Sequence, residues 1–106
     1  DIICSLEFDI DGKPINTETS SQIYRIIQEC ISNTIKHAHA SALKVLIERR
    51  SGELIIQYRD NGIGITDSQN KYGLGLLTIR ERTAIIGGRL ELKTGHKKGI
   101  SLTISI

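Results

Sequence analysis

Five stretches of this chain alternate apolar with polar residues, and that pattern limits the fold more than anything else in the sequence. In residues 2–10, Cys4, Leu6, Phe8 and Ile10 oppose Ser5, Glu7 and Asp9. Residues 42–49, 53–59, 89–94 and 100–106 repeat the pattern. In the last, Ile100, Leu102, Ile104 and Ile106 oppose Ser101, Thr103 and Ser105. Successive side chains of a strand point to opposite faces, so each stretch predicts a strand with one apolar and one wet face. A sheet built from such strands is covered on one side only, whereas a sheet wound on both sides needs strands that are apolar throughout.

Two helical segments supply the cover. In residues 17–39, Ile23, Ile26, Ile27, Cys30, Ile31, Thr34, Ile35 and Ala38 recur at the spacing of one helix face. Thr17–Ser21 offers several N-cap candidates. β-branched Ile is a modest helix former, so packing of this stripe has to hold the helix. Residues 74–86 place Leu76, Ile79, Thr83 and Ile86 on one side, and Gly87-Gly88 stops the helix. Asp11-Gly12 turns the chain, Ser51-Gly52 closes a hairpin, and residues 61–73 read as a Gly-rich loop. The expected architecture is α+β: a two-layer α/β sandwich whose mixed sheet, of about five strands, is covered on one face by helices.

A length of 106 residues suits one domain, spanning 1–106. The chain starts at Asp1 and contains no Met, so it reads as a piece of a longer protein. A net charge of +2 is too small for direct nucleic-acid binding, and the Arg49-Arg50 and Lys97-Lys98 pairs have no interleaved aromatics. No apolar run approaches a membrane span, so no membrane contact is expected from this segment. Cys4 and Cys30 lack the CxxC spacing of a metal site. Both fall on apolar faces and read as buried free thiols in a reducing cytoplasm.

Three clusters can carry chemistry. Glu29, Asn33, Lys36 and His37 lie within roughly 100° of one another on the first helix. There an amide oxygen can ligate Mg2+, a lysine can meet phosphate, and a carboxylate can orient or deprotonate a hydroxyl. The second cluster is Asp60-Asn61-Gly62-Ile63-Gly64. Counting back, Asp60 shares a face with Tyr58, Ile56 and Leu54, so it points at the core. A carboxylate there needs a partner. A ligand N–H such as an adenine amine would serve, and so would its own backbone in an Asx turn. The third is Gly73-Leu74-Gly75-Leu76, where a loop becomes a helix whose free N–H groups can face phosphate. It is not a Walker motif, since no Gly-Lys-Ser/Thr follows.

In order and spacing these clusters resemble the ATP-binding domain shared by histidine kinases, gyrase, HSP90 and MutL. Gln28-Glu29 with Asn33, Lys36, His37 and Ala38 resembles its N box, Asp60–Gly64 its G1 box and Gly73–Leu76 its G2 box. The short segment between the last two, with Leu77-Thr78-Ile79-Arg80-Glu81-Arg82 and Gly87-Gly88-Arg89-Leu90, is similar to nitrate-sensor and degradation-sensor kinases. The resemblance implies the Bergerat ATP-binding fold and a protein histidine kinase of two-component signalling. Its cofactors would be ATP and Mg2+. Asp60 would read the adenine amine, Asn33 would ligate Mg2+, Lys36 and His37 would lie near the phosphates, and Glu29 would be the catalytic base or polarising group. Gly62, Gly64, Ile65, Gly73, Leu74, Gly75 and Leu76 would contact ATP, with residues 65–73 as a mobile lid.

The implied partners are a helical dimerisation domain of the same protein, carrying the phosphoacceptor histidine, and a response regulator with a helix-turn-helix DNA-binding domain. The segment would be the cytoplasmic domain of a parent that can be an inner-membrane sensor. The alternatives on the same fold are an anti-sigma-type serine kinase and a degenerate nucleotide-binding or partner-docking module. One position departs from the family: where it usually has Gly-Thr, with the hydroxyl close to the adenine-reading carboxylate, this chain has Gly99-Ile100. Water or another side chain has to replace that hydroxyl, or nucleotide binding is weakened.

Overall fold

A computed structural model describes residues 2–63, 75–94 and 99–106, without the side chains of His37 and Ala38. The order of elements is β1 (Ile3–Asp9), α1 (Thr17–Asn33), β2 (Ala42–Arg50), β3 (Glu53–Asp60), α2 (Leu76–Ile85), β4 (Arg89–Thr94) and β5 (Ile100–Ser105). The strands form one five-stranded sheet in the order β1-β2-β3-β5-β4. β1 runs parallel to β2, and the other three pairings are antiparallel. The sheet is therefore mixed, as expected. Ser51 and Gly52 both have positive φ (52° and 84°), which joins β2 to β3 by the two-residue turn whose twist matches the strands.

The alternation places the core. Leu43, Val45 and Ile47 on β2, Leu54, Ile56 and Tyr58 on β3, and Leu102 and Ile104 on β5 form one buried row of neighbours. Ile23, Ile26 and Cys30 of α1 and Ile79 of α2 close over it. Arg82 Nη1 donates to Gln22 Oε1 at 2.9 Å, tying the two helices together. Among the described residues, no helix is long and apolar enough to cross a membrane.

Three local expectations need correction. The N-cap of α1 is Asn16, one residue before the Thr17–Ser21 stretch, and its Oδ1 accepts from the Thr19 backbone N–H at 2.8 Å. Asn is as good a cap as Ser or Thr, and Asn16 has the extended backbone an N-cap needs (φ −63°, ψ 158°). Second, the α-helix ends at Asn33 and continues as one π-helical turn, Thr34–Ala38, which changes the phase of the stripe. Ile35 is consequently 65% exposed instead of buried.

Third, β1 is exposed along its whole length. Cys4, Leu6 and Phe8 pair with Leu43, Val45 and Ile47, so they do share the core face. β1 is the edge strand, however, and the helices pack over the strands inside it. Cys4 is thus an exposed free thiol while Cys30 is buried. Burial, with Glu29 and Asp60 nearby adding to it, pushes the Cys30 thiol up to about 12. Because the thiolate is the nucleophile, the folded protein should release one equivalent of colour with Ellman's reagent at pH 8. The second equivalent should appear only in denaturant. Two rapid equivalents without denaturant would contradict the packing of α1 on the sheet.

Candidate functional site

Asp60 ends the inward row of β3, between Leu43 on β2 and Ile100 on β5, and is 4% exposed. Its carboxylate is met from three directions. The Gly62 N–H and the Ile100 N–H donate to Oδ1, at 3.0 and 3.2 Å, and the Thr34 hydroxyl donates to Oδ2 at 2.8 Å. The Gly62 bond is an Asx turn, so Asp60 faces the core and also bonds its own backbone. The two sequence readings of this residue are compatible.

The surroundings hold that carboxylate still. Asn61 Oδ1 accepts from the backbone N–H groups of Ser41 and Ala42 at 2.9 and 3.0 Å, and its Nδ2 donates to Ser41 Oγ at 2.8 Å. These bonds tie the end of β3 to the start of β2. Gly99 has φ +71° and lies so close to the Asp60 carbonyl that a Cβ would overlap it. Glycine is required here both for its backbone conformation and for this contact.

Thr34 opens the π-helical turn, a feature often found at functional sites. Its hydroxyl also hydrogen-bonds Tyr58 Oη, and Tyr58 Oη donates to the Cys30 carbonyl at 3.2 Å. Burial pushes the Tyr58 phenol well above its usual range, against the opposing effect of its hydrogen bond to Thr34, so it stays a protonated donor. A cavity of about 20 Å³ beside these groups is lined by Cys30, Asn33, Tyr58, Leu76, Ile79, Leu92, Ile100 and Leu102. It has room for about one water, so a base has to widen it. Leu76 begins α2 and Ile100 begins β5, so the starts of both elements meet at this cavity.

A larger cleft of about 310 Å³, with Asp60 and Asn61 also on its wall, is lined by Ser5, Lys44 and Arg59. Those three are register partners on the open face of the sheet. They face away from the Asp60 carboxylate, and volume alone does not make that cleft a site. The small cavity has the mostly apolar walls a base needs, and Ile100 on its wall is the register partner of Asp60.

The predicted residues are partly brought together. Asn33 and Leu76 line the cavity. Gly62 bonds Asp60, and Gly75 (φ +79°) abuts the Glu29 carboxylate so closely that a Cβ would overlap it. Gly75 caps the N-terminus of α2, where a carboxylate is favoured by the free N–H groups. Lys36 is exposed on the π-helical turn. Gly64, Ile65, Gly73, Leu74, the side chain of His37 and the lid at 65–73 lie outside the described residues. Thr34, Tyr58 and Gly99 were missed as site residues. Thr34 was legible in principle, as the only hydroxyl on an otherwise apolar helix stripe facing an inward carboxylate.

The chain belongs to the histidine kinase-, DNA gyrase B-, and HSP90-like ATPase family, which matches residues 18–106. Among curated proteins, it is 35% identical over 85 residues to the signal transduction histidine-protein kinase/phosphatase DegS of Brevibacillus brevis, covering 79% of this chain and 22% of that one. It is 30% identical over 95 residues to the sensor histidine kinase ComP of Bacillus subtilis, covering 87% of this chain and 12% of the relative. The chain thus spans less than a quarter of either relative. The blue-light activated histidine kinase of Erythrobacter litoralis shares the fold with a TM-score of 0.79 at 24% identity, over 97% of this chain and 35% of that structure.

Proposed function

We propose that this chain is the catalytic domain of a sensor histidine kinase. It binds Mg-ATP and donates the γ-phosphoryl group to a histidine on a separate helical dimerisation domain of the same protein. The observation that carries the reading is Asp60, a buried carboxylate paired with Ile100 on the wall of an apolar cavity, held by Thr34, Gly62 and Ile100 and with acceptor capacity left among the described residues. An adenine amine fits that acceptor, and Leu76, Ile79, Leu92 and Ile100 fit the faces of the ring.

Asn33 lines the same cavity one helix turn from Glu29. Its amide oxygen suits Mg2+, a hard cation that takes few protein ligands and completes its shell with phosphate and water. Bound there, Mg2+ would neutralise charge on the phosphates. Glu29, set against Gly75, orients the acceptor imidazole or takes its proton, while Lys36 and His37 meet the phosphates from the π-helical turn. Gly62, Gly64, Gly73 and Gly75 let backbone approach the nucleotide, and residues 65–73 close over it. The rate comes from positioning and charge stabilisation, as in phosphoryl transfer generally. The phosphoryl group then passes to a response regulator, of the kind with a helix-turn-helix DNA-binding domain. This domain would work in the cytoplasm, its parent anchored as an inner-membrane sensor.

Calorimetric titration with a non-hydrolysable ATP analogue and Mg2+ tests the binding half. We expect micromolar affinity, about −8 kcal/mol, that stops depending on Mg2+ in Asn33→Ala. Supplying a histidine-bearing dimerisation domain in trans tests transfer. We expect Glu29→Gln to slow labelling about 100-fold at unchanged nucleotide affinity. A wild type that binds no nucleotide would sink the proposal.

A further inference from the structure

The open face of the sheet carries its charges in matched pairs, with two exceptions. Its cations among the described residues are Lys44, Arg50, Arg59, Arg89 and Lys93, which the strand register places on one face. Lys44 meets Glu7 at 3.1 Å, Arg89 meets Glu53 at 3.1 Å, Lys93 meets Glu91 at 3.3 Å, and Arg50 is paired with Glu48. Arg59 has no carboxylate among the described residues, and its register partner on β2 is another cation, Lys44. Like charges directly opposite each other across two strands work against the pairing. On β1, Asp9 is the carboxylate of this face that none of these cations meets. Its side chain accepts the Asp11 N–H at 3.2 Å, and its register partner is Glu48. One unmatched cation and one unmatched anion thus share a face, each beside a like charge.

The two cannot meet within one chain. Arg59 and Asp9 lie two strands and four residues apart, roughly 16 Å. β2 runs between them, and Leu46 stands midway, because Lys44 is level with Arg59 and Glu48 with Asp9. A two-fold axis over Leu46, in the plane of the face and perpendicular to the line joining the two charges, exchanges their positions. A second copy laid on this face then sets its Asp9 on Arg59 and its Arg59 on Asp9, the reciprocity of an isologous contact. The same operation brings Lys44 to Glu7 of the second copy. It crosses the strands of the two sheets within about 20° of perpendicular, one of the two ways in which sheets stack. Beside the axis is a hollow of about 80 Å³ lined by Lys44, Leu46, Gln57 and Arg59. Leu46 of the second copy is the apolar side chain placed to enter it.

We propose that the open face of the sheet pairs with the same face of a second copy about a two-fold axis at Leu46, held by Arg59 against Asp9 in both directions. The size of the face suits a weak contact. Five strands about 4.8 Å apart and about six residues long make it roughly 24 by 20 Å. Two copies therefore bury at most about 1,000 Å², the low end for a specific interface. The contact leaves the helical layer free, so it is independent of what the cavity between α1, α2 and β5 binds.

Sedimentation equilibrium of this chain, at concentrations up to about 1 mM and without nucleotide, tests the pairing. Wild type should show monomer and dimer alone, with the dimer weakened by added salt, which screens exposed charge pairs. Arg59→Glu or Asp9→Lys should each weaken the dimer about tenfold, since either change breaks two symmetry-related contacts worth a few-fold apiece. Both side chains are exposed, so the fold should tolerate the changes. The double variant exchanges the two charges and should recover the dimer, which a damaged fold could not do. Leu46→Glu sets two carboxylates against each other on the axis and should leave monomer only. A wild type that stays monomeric at about 1 mM, assembly beyond the dimer, or a dimer indifferent to both single reversals would overturn the proposal. Single reversals that weaken the dimer with no recovery in the double variant would overturn it too.

Discussion

Asp60→Asn should weaken Mg-ATP binding by on the order of 100-fold, the cost of a charge-assisted hydrogen bond at a buried site. The substitution changes a double acceptor into a group with one acceptor oxygen and one NH2. That NH2 cannot serve every donor now aimed at the carboxylate. If it turns toward Gly62 and Ile100 it meets two N–H groups; if it turns toward Thr34 it faces the adenine amine. In either orientation a donor is left against a donor. The variant should also be less stable without nucleotide, by about 1–3 kcal/mol for the unsatisfied group. Calorimetry and thermal melting on the same sample check the two halves. Unchanged ATP affinity in a folded Asp60→Asn protein would remove Asp60 from the site.

Gly99→Ala should be the more damaging change for the fold, lowering the melting temperature by about 10–20 °C. Gly99 combines two demands. Its φ of +71° disfavours any side chain, and a Cβ there would overlap the backbone carbonyl of Asp60. Left-handed backbone costs an alanine about 1–2 kcal/mol, and forcing β5 away from β3 adds about 1–3 kcal/mol. The obstruction is backbone and has no flexible side-chain end to yield. Gly12 supplies the control: its φ is nearly the same, +69°, but a Cβ added there would meet nothing within 4 Å. Gly12→Ala should therefore lose only the conformational part, and equal losses at the two positions would contradict the contact between Gly99 and Asp60.

Much of this molecule could be read from residue order because it rests on local periodicity. The strands around Val45, Ile56 and Leu102 alternate, and their partners in the sheet alternate in phase. The inward aim of Asp60 followed from the same count, since one residue's slip would have put Arg59 in the core. What could not be read depends on which elements lie beside which. Phe8 and Cys4 alternate as well as any core residue, but the pattern says nothing about β1 being at the edge, beyond the reach of α1. Ile35 continued the apolar stripe on paper, and only the π-helical turn turned it outward. Thr34 counted as a mildly apolar member of that stripe. Its bond to Asp60 spans 26 residues of sequence and joins the end of a helix to the end of a strand. Gly99 is similar: a glycine before a strand reads as a turn until the strand beside it is known.

Everything proposed for this site turns on adenine being read by Asp60 from the cavity between α1, α2 and β5. The most direct measurement is a crystal structure of this protein with Mg2+ and a non-hydrolysable ATP analogue. We expect the exocyclic amine within hydrogen-bonding distance of the Asp60 carboxylate, with Mg2+ on Asn33. A nucleotide seated in the Lys44 and Arg59 cleft on the open face of the sheet, with its amine away from the Asp60 carboxylate, would contradict it.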